Sequence, residues 1–354
     1  GASADLWGRK RCMVLSNLCI AVSCVIMLFS KSFGWFAVSF AVQALGNNLN
    51  SGSEEALVYD SMKCLGQEEH YMGVYGRLNV LIEVAQGLAT VAGGVLAEFS
   101  YFWCYAACVV IAVLALLPVL WMAEPPQCGK AADTAGGSAK DAPAEGTPAQ
   151  RTIRETVNHH FAVSACILQK DARIGKIIGF YSVVFAAHTL LFFYSQQYFA
   201  DFGYNKVQIS VIMLLVGGAS CLGALASEKM YRRFGKRCLI PETVIIAAAI
   251  LCYGSGKAGV AAAALMCAGF ANAALYPIQS DSLNALIPSE QRATLISVDS
   301  MCFSIAMIVL FPLAGAFADR WGLKTVLLLL GAILLLFLLA AFCIEKESFS
   351  SDHS

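Results

Sequence analysis

Two stripes of carboxamide and carboxyl side chains interrupt otherwise apolar sequence. Gln43, Asn47, Asn50 and Glu54 fall at i, i+4, i+7 and i+11, and Asn79, Glu83, Gln86 and Thr90 repeat that spacing. On a helix of 3.6 residues per turn each set shares one face. Among apolar neighbours such a face is costly unless water, a solute or another helix satisfies it. Carboxamides both donate and accept, so they can hold a polar organic solute. They can equally tie one helix to the next. Glu83 adds what the amides lack, a group that takes up and releases a proton or holds a cation.

A third face mixes aromatic and polar groups: Tyr181, Phe185, His188, Phe192 and Gln196. Rings with a few hydrogen-bonding groups among them suit a solute of mixed polarity. His188 is also readable as a packed, hydrogen-bonded core residue. A weaker stripe carries Asn272, Tyr276 and Gln279, and Tyr276 precedes Pro277, where a helix is expected to break or kink.

The elements that would position these faces are long and greasy. The chain is 58% hydrophobic and only 14% charged. A soluble chain of 354 residues would carry roughly a quarter charged residues, so the composition is that of a polytopic membrane protein. Formal net charge is +0, which gives no bias toward nucleic acid. Most of the 14 cysteines lie in apolar runs, without a CxxC metal pair or a disulfide framework.

About twenty apolar residues span a bilayer as a helix, and by that criterion about ten spans are expected. They are Cys12 to Ser30, Phe33 to about Met62, Met72 to Ala97, Tyr101 to Met122, Asp171 to Ala200, Val207 to Ser227, Cys238 to Ser255, Ala258 to Leu286, Arg292 to Ala318 and Thr325 to Ile344. Glu83 is then roughly 16 Å from the start of its span at 1.5 Å per residue, near mid-membrane. An ionisable group at that depth is a functional candidate. Thr325 to Ile344 is apolar all round and Tyr101 to Met122 nearly so, which predicts peripheral, lipid-facing helices.

Lysine and arginine set the orientation. With Gly1 to Arg11 placed inside, 19 of the 24 basic residues fall on the cytoplasmic side and 5 outside. The first stretch of the chain, the central interruption and the C-terminus are therefore expected in the cytoplasm. Ala123 to Gln150 is rich in Ala, Gly and Pro and reads as a flexible linker. In Arg151 to Gln169, Ile153, Val157 and Phe161 recur at helical spacing, which fits an amphipathic helix on the membrane face or a short helix docked on the bundle. The domains read as 1–122, a helical bundle of about four helices; 123–170, the linker with its amphipathic helix; and 171–354, a six-helix bundle.

The two halves echo each other. Gly8 with its basic cluster recurs at Gly235, Asp60-Ser61 at Asp281-Ser282, and Gly93-Gly94 to Glu98 at Gly315 to Asp319. Duplicated bundles of this kind place a solute site between the halves, near mid-membrane.

The opening GASADLWGRKR resembles the loop between the second and third helices of the major facilitator superfamily, with Gly1, Asp5, Gly8, Lys10 and Arg11 at the matching positions and Leu6 departing from it. IPSEQRAT, Ile287 to Thr294, and GAFADRWG, Gly315 to Gly322, also look like that superfamily. Gly87, Gly93 and Gly94 resemble part of the antiporter signature of its fifth helix, although Ala89-Thr90 stands where that signature has Gly-Pro. The resemblance implies an all-α, two-bundle fold with twelve helices in a complete member, so that the first two would be absent here. It implies a gating role for the loop Gly1, Asp5, Gly8, Arg9, Lys10 and Arg11, with Asp5 pairing across the inner boundary; charge that merely sets topology explains Arg9, Lys10 and Arg11 as well.

The function expected is secondary active transport of a small organic solute across the cell membrane by alternating access, coupled to protons through Glu83. The solute-facing candidates are Gln43, Asn47, Asn50, Glu54, Asn79, Glu83, Gln86, His188, Gln196, Asn272, Tyr276 and Gln279. No cofactor and no metal is expected, the partners being the solute, protons and the lipid bilayer, and the chain a monomer. Without a GxxxxGK[ST] loop an ATP-driven pump is disfavoured. The rivals are a membrane sensor or intramembrane enzyme on the same scaffold, and an inactive fragment.

Overall fold

A computed structural model describes residues 9–50, 57–58, 61–62, 64–67, 71–122, 172–235, 239–284 and 292–351. Among the described residues ten helices are delimited: α1 (Arg9–Phe29), α2 (Phe33–Asn50), α3 (Tyr71–Phe99), α4 (Tyr101–Trp121), α5 (Ala172–Asp201), α6 (Lys206–Phe234), α7 (Leu239–Cys252), α8 (Ala258–Asn284), α9 (Arg292–Trp321) and α10 (Leu323–Ser351). A turn of 3-10 helix, Tyr253–Ser255, extends α7. The linker and the stretch from Arg151 to Gln169 lie outside the described residues.

Among the described residues six helices are long and apolar enough on their own to cross a membrane: α1, α4, α5, α6, α8 and α9. Val84–Phe99, Ile240–Ser255 and Leu323–Leu339 are shorter apolar stretches within α3, α7 and α10. The α2 helix falls short on composition, because its 18 residues include Gln43, Asn47, Asn48 and Asn50. Helices that carry their own backbone hydrogen bonds are the structure an apolar solvent demands.

Local signals set the boundaries. Ser100 caps α4 through its side chain. Asn205 and Gln208 form a reciprocal capping box at the start of α6, and Gly203, at φ 83°, makes the tight turn from α5. The α8 helix runs unbroken through Pro277, so the expected break there does not occur. Neighbouring helices make such a proline tolerable in a membrane helix.

Contacts divide the chain into two units, one within Gly1–Pro143 and the other within Ala144–Ser354. In the first, α1 packs against α2 and α4, and α3 against α4. The Ser39 hydroxyl donates to the Ser23 carbonyl at 2.9 Å, and the two serine hydroxyls meet at 3.1 Å. Gly46 keeps this crossing close, since a Cβ there would stand 3.0 Å from the Ser16 carbonyl oxygen.

In the second unit α8 is central, packed on α6, α7 and α5, while α7 also meets α10 and α9 meets α5 and α10. Its core includes Val184, Leu191, Phe199, Ile246, Ile250, Tyr253 and Leu265. The outer faces are apolar: Trp121 is 88% exposed, Leu225 76% and Ile308 71%. Contiguous apolar surface of that kind is the face a lipid solvent covers. On α4 only Ala112 and Val119 are buried, as a peripheral helix requires. The α10 helix keeps an apolar outer face, with Ile333 61% and Leu336 66% exposed, while Leu327 and Leu334 enter the core and Gly331 lets it approach Leu251. Uniform apolarity leaves the buried side of a helix unmarked in sequence.

Candidate solute-binding face

The α2 stripe straddles a helix seam. With 100° per residue, Gln43 and Asn50 lie roughly 60° and 40° around the helix from Gly46, and Asn47 roughly 100°. Gly46 faces α1, so Gln43 and Asn50 are half-buried beside the seam and Asn47 is exposed. Glu54 lies outside the described residues.

On α3, Gln86 is exposed, and Thr90 is half-buried with its hydroxyl donating to the Gln86 carbonyl at 2.8 Å. Asn79 and Glu83 lie on the same helix, their side chains outside the described residues. Of the loop residues, Gly1, Asp5 and Gly8 also fall outside them, and Arg9 begins α1. Arg11 is exposed. Lys10 donates from Nζ to the Leu120 carbonyl at 2.9 Å, placing a cation on the C-terminal end of α4, where the helix dipole favours it.

Among the described residues the richest polar set lies within the second unit, on α5 and α8. Two contacts fix these helices antiparallel. The Tyr198 hydroxyl donates to the Tyr253 carbonyl at 2.9 Å, just before α8 begins. Further down, the Phe185 and Tyr276 rings stand 5.7 Å apart. Tyr181 is buried and continues the ring ladder at 6.1 Å from Phe185. Phe192 is half-buried and Gln196 exposed.

Along this pair of helices four buried polar atoms have no hydrogen-bond partner: Ser182 Oγ, His188 Nε2, Asn272 Oδ1 and Gln279 Nε2. A buried polar atom left unpaired costs about 1–3 kcal/mol, so four on two helices call for an occupant that pairs with them. Beside them Tyr276 is 58% exposed, an open aromatic surface. The sequence-predicted residues His188, Asn272, Tyr276 and Gln279 are thus brought onto one helix pair, together with Phe185.

Three residues went unread in the sequence. Ser182 joins the unpaired set. Glu242, in the first turn of α7, is 1% exposed with Oε2 unpaired. Asp299, on α9, is half-buried. Both acids sit inside apolar runs, the signal that singled out Glu83.

A sequence model of the Major Facilitator Superfamily matches residues 1–255 and 243–352. No curated protein sequence matches the chain. Among solved structures it is similar to the nucleoside transporter NupG, with TM-score 0.70 and 15% identity, over 98% of this chain and 85% of that one. It is also similar to a D-xylose-proton symporter, with TM-score 0.65 and 14% identity, over 94% and 82%. A third likeness is to the peptide transporter POT in complex with sulfate, with TM-score 0.58 and 13% identity, over 92% and 79%.

Proposed function

The chain belongs to the major facilitator superfamily, and on that premise we propose that it is a proton-coupled secondary transporter of a small organic solute. The observation that carries the solute reading is the row of unpaired polar atoms beside the Phe185–Tyr276 ring pair. A solute with a flat apolar face and several hydrogen-bonding groups would lie on Tyr276 and pair with His188 and Asn272. Nucleosides, pentoses and peptides, the solutes named for the structurally similar transporters, all bear such hydrogen-bonding groups, and nucleosides also bear the flat face.

Alternating exposure of that face to the two sides of the membrane would move the solute, and a carboxyl that binds a proton in step would supply the driving force. Glu83 is that carboxyl in the first unit. The distribution of Lys and Arg along the sequence supports a cytoplasmic central linker and C-terminus.

Counterflow in proteoliposomes tests the reading. Vesicles preloaded with a nucleoside, D-xylose or a dipeptide should accumulate the same labelled solute, in at least one of the three cases, and empty vesicles should not. Flux of none of them, in either direction and with or without a pH gradient, would overturn it.

A further inference from the structure

Lys10 and Arg11 stand at the head of a groove on α1 that Val14, Leu15 and Leu18 continue. Its volume is about 380 Å³. At 100° per residue these positions fall within roughly 140° of the helix circumference, so they share one side. That side is open: Arg11 is exposed, as are Leu15 and Leu18. Lys10 spends one N–H on the Leu120 carbonyl and keeps two others to give. Among the described residues no carboxylate pairs with Lys10 or Arg11. Two cations therefore stand over aliphatic surface, and no described side chain answers their charge.

A second helix marks the depth of the groove in the membrane. The Lys10–Leu120 bond brings Trp121, the next residue of α4, to the same end. Trp121 is open, at 88% exposed. Tryptophan collects where hydrocarbon gives way to headgroups, because its ring is apolar and its N–H is polar. From Lys10 to Leu18 is roughly 12 Å along the helix. One leaflet, half of a hydrocarbon layer about 30 Å thick, is close to that depth. Further along, Val22 and Val25 keep the same side apolar and open. A charged end at headgroup depth, then an apolar run about one leaflet long, matches the two parts of a phospholipid in order. A zwitterionic headgroup brings its own cation, whereas Lys10 and Arg11 favour one with net negative charge. The Arg11 guanidinium can also meet two phosphate oxygens at once.

We propose that this groove is a binding site for an anionic glycerophospholipid. Its phosphate lies between Arg11 and Lys10, and one acyl chain runs down Val14, Leu15 and Leu18. The leucines anchor the chain, and the two cations choose the headgroup. The site lies within the first unit and requires nothing of the polar face on α5 and α8. It stands whichever solute the protein moves.

Native mass spectrometry of the full chain, with lipid titrated into its detergent micelle, tests this. The probes are palmitoyl-oleoyl phosphatidylglycerol and phosphatidylcholine with the same chains. The glycerol lipid should bind more tightly than the choline lipid. Arg11→Gln should weaken phosphatidylglycerol about fivefold and leave phosphatidylcholine unchanged. Arg11→Lys, which keeps the charge, should restore most of that affinity. Leu18→Asn should weaken phosphatidylglycerol through the chain. Both positions are exposed, so these variants keep the core intact. Lys31→Gln removes an equal charge beyond the far end of α1 and should change nothing. Equal affinity for the two lipids would make the groove ordinary lipid-facing surface and overturn the proposal. A loss in Lys31→Gln as large as in Arg11→Gln would reduce the effect to net charge and overturn it too. Displacement of the lipid by millimolar inorganic phosphate would make the ligand a free anion. A dimer that takes up no lipid would give the groove to a second copy. Either of these last outcomes also removes the lipid site.

Discussion

The Phe185 and Tyr276 rings lie 5.7 Å apart, centroid to centroid, and join α5 to α8 at 57°. Phe185 is half-buried, whereas Tyr276 keeps 58% of its surface open. A solute ring laid on the open face of Tyr276 would gain about 1 kcal/mol beyond area burial. Tyr276→Ala is therefore expected to weaken solute affinity in counterflow by roughly fivefold, the factor about 1 kcal/mol gives. Tyr276→Phe keeps the ring and should stay near wild type. Equal loss in both variants would move the role from the ring to the hydroxyl.

His188 and Asn272 allow stability and function to be read apart. Each buries a polar atom without a partner. If they served only structure, an apolar substitute of like size would cost nothing or would stabilise, since it removes the unpaired atom. His188→Leu and Asn272→Leu are expected to unfold at or above the wild-type temperature and yet to lose counterflow. A fall in unfolding temperature with transport retained would make both ordinary packing residues.

Close packing in the second unit rests on Gly223. A Cβ at that position would stand 2.1 Å from the Phe270 carbonyl oxygen, which is backbone and has no rotamer to escape into. Gly223→Ala must push α6 away from α8, at a cost of about 1–3 kcal/mol. Gly217 and Gly218 on the same helix have nothing within 4 Å of an added Cβ. Thermal unfolding in detergent should separate Gly223→Ala clearly from Gly217→Ala, and equal midpoints would refute the close approach.

The helices were legible in sequence because an apolar run of the right length has one stable form in lipid. Their ends were read less well: the capping box of Asn205 and Gln208 and the cap at Gly235 bound α6, whereas the apolar run stops at Ser227. What stayed hidden follows from the same uniformity. Leu327 and Leu334 look like every other leucine of α10, so its buried side could not be read. His188, Asn272 and Tyr276 were visible as stripes, but α5 and α8 are far apart in sequence, and only tertiary contact shows that they share a seam. Asp299 and Glu242 were passed over because neither belongs to a stripe. Glu242 draws notice only through its burial, at 1% exposed, which no spacing encodes.

Lys10 and Asp5 should respond differently. The Lys10 ammonium caps α4 through the Leu120 carbonyl, an exposed dipole contact of about 0.3–1 kcal/mol. Lys10→Met should lower the unfolding midpoint slightly and leave counterflow near wild type. Asp5→Asn is expected to leave unfolding unchanged and to slow transport, as a gate that closes less often would. Unchanged rates in Asp5→Asn would take that residue out of the cycle.

Glu83 is the thirteenth of the 29 residues of α3, roughly 18 Å along the helix from Tyr71. In a hydrocarbon layer about 30 Å thick that is close to the middle, where a carboxyl is expensive to keep without a task. Glu83→Gln preserves shape and hydrogen bonding but cannot exchange a proton. Such a protein should still catalyse counterflow, where solute enters and leaves with no net proton movement. It should lose accumulation driven by an inside-alkaline pH gradient. Loss of both activities would place Glu83 in solute binding instead. Retention of gradient-driven accumulation would leave proton coupling to another group.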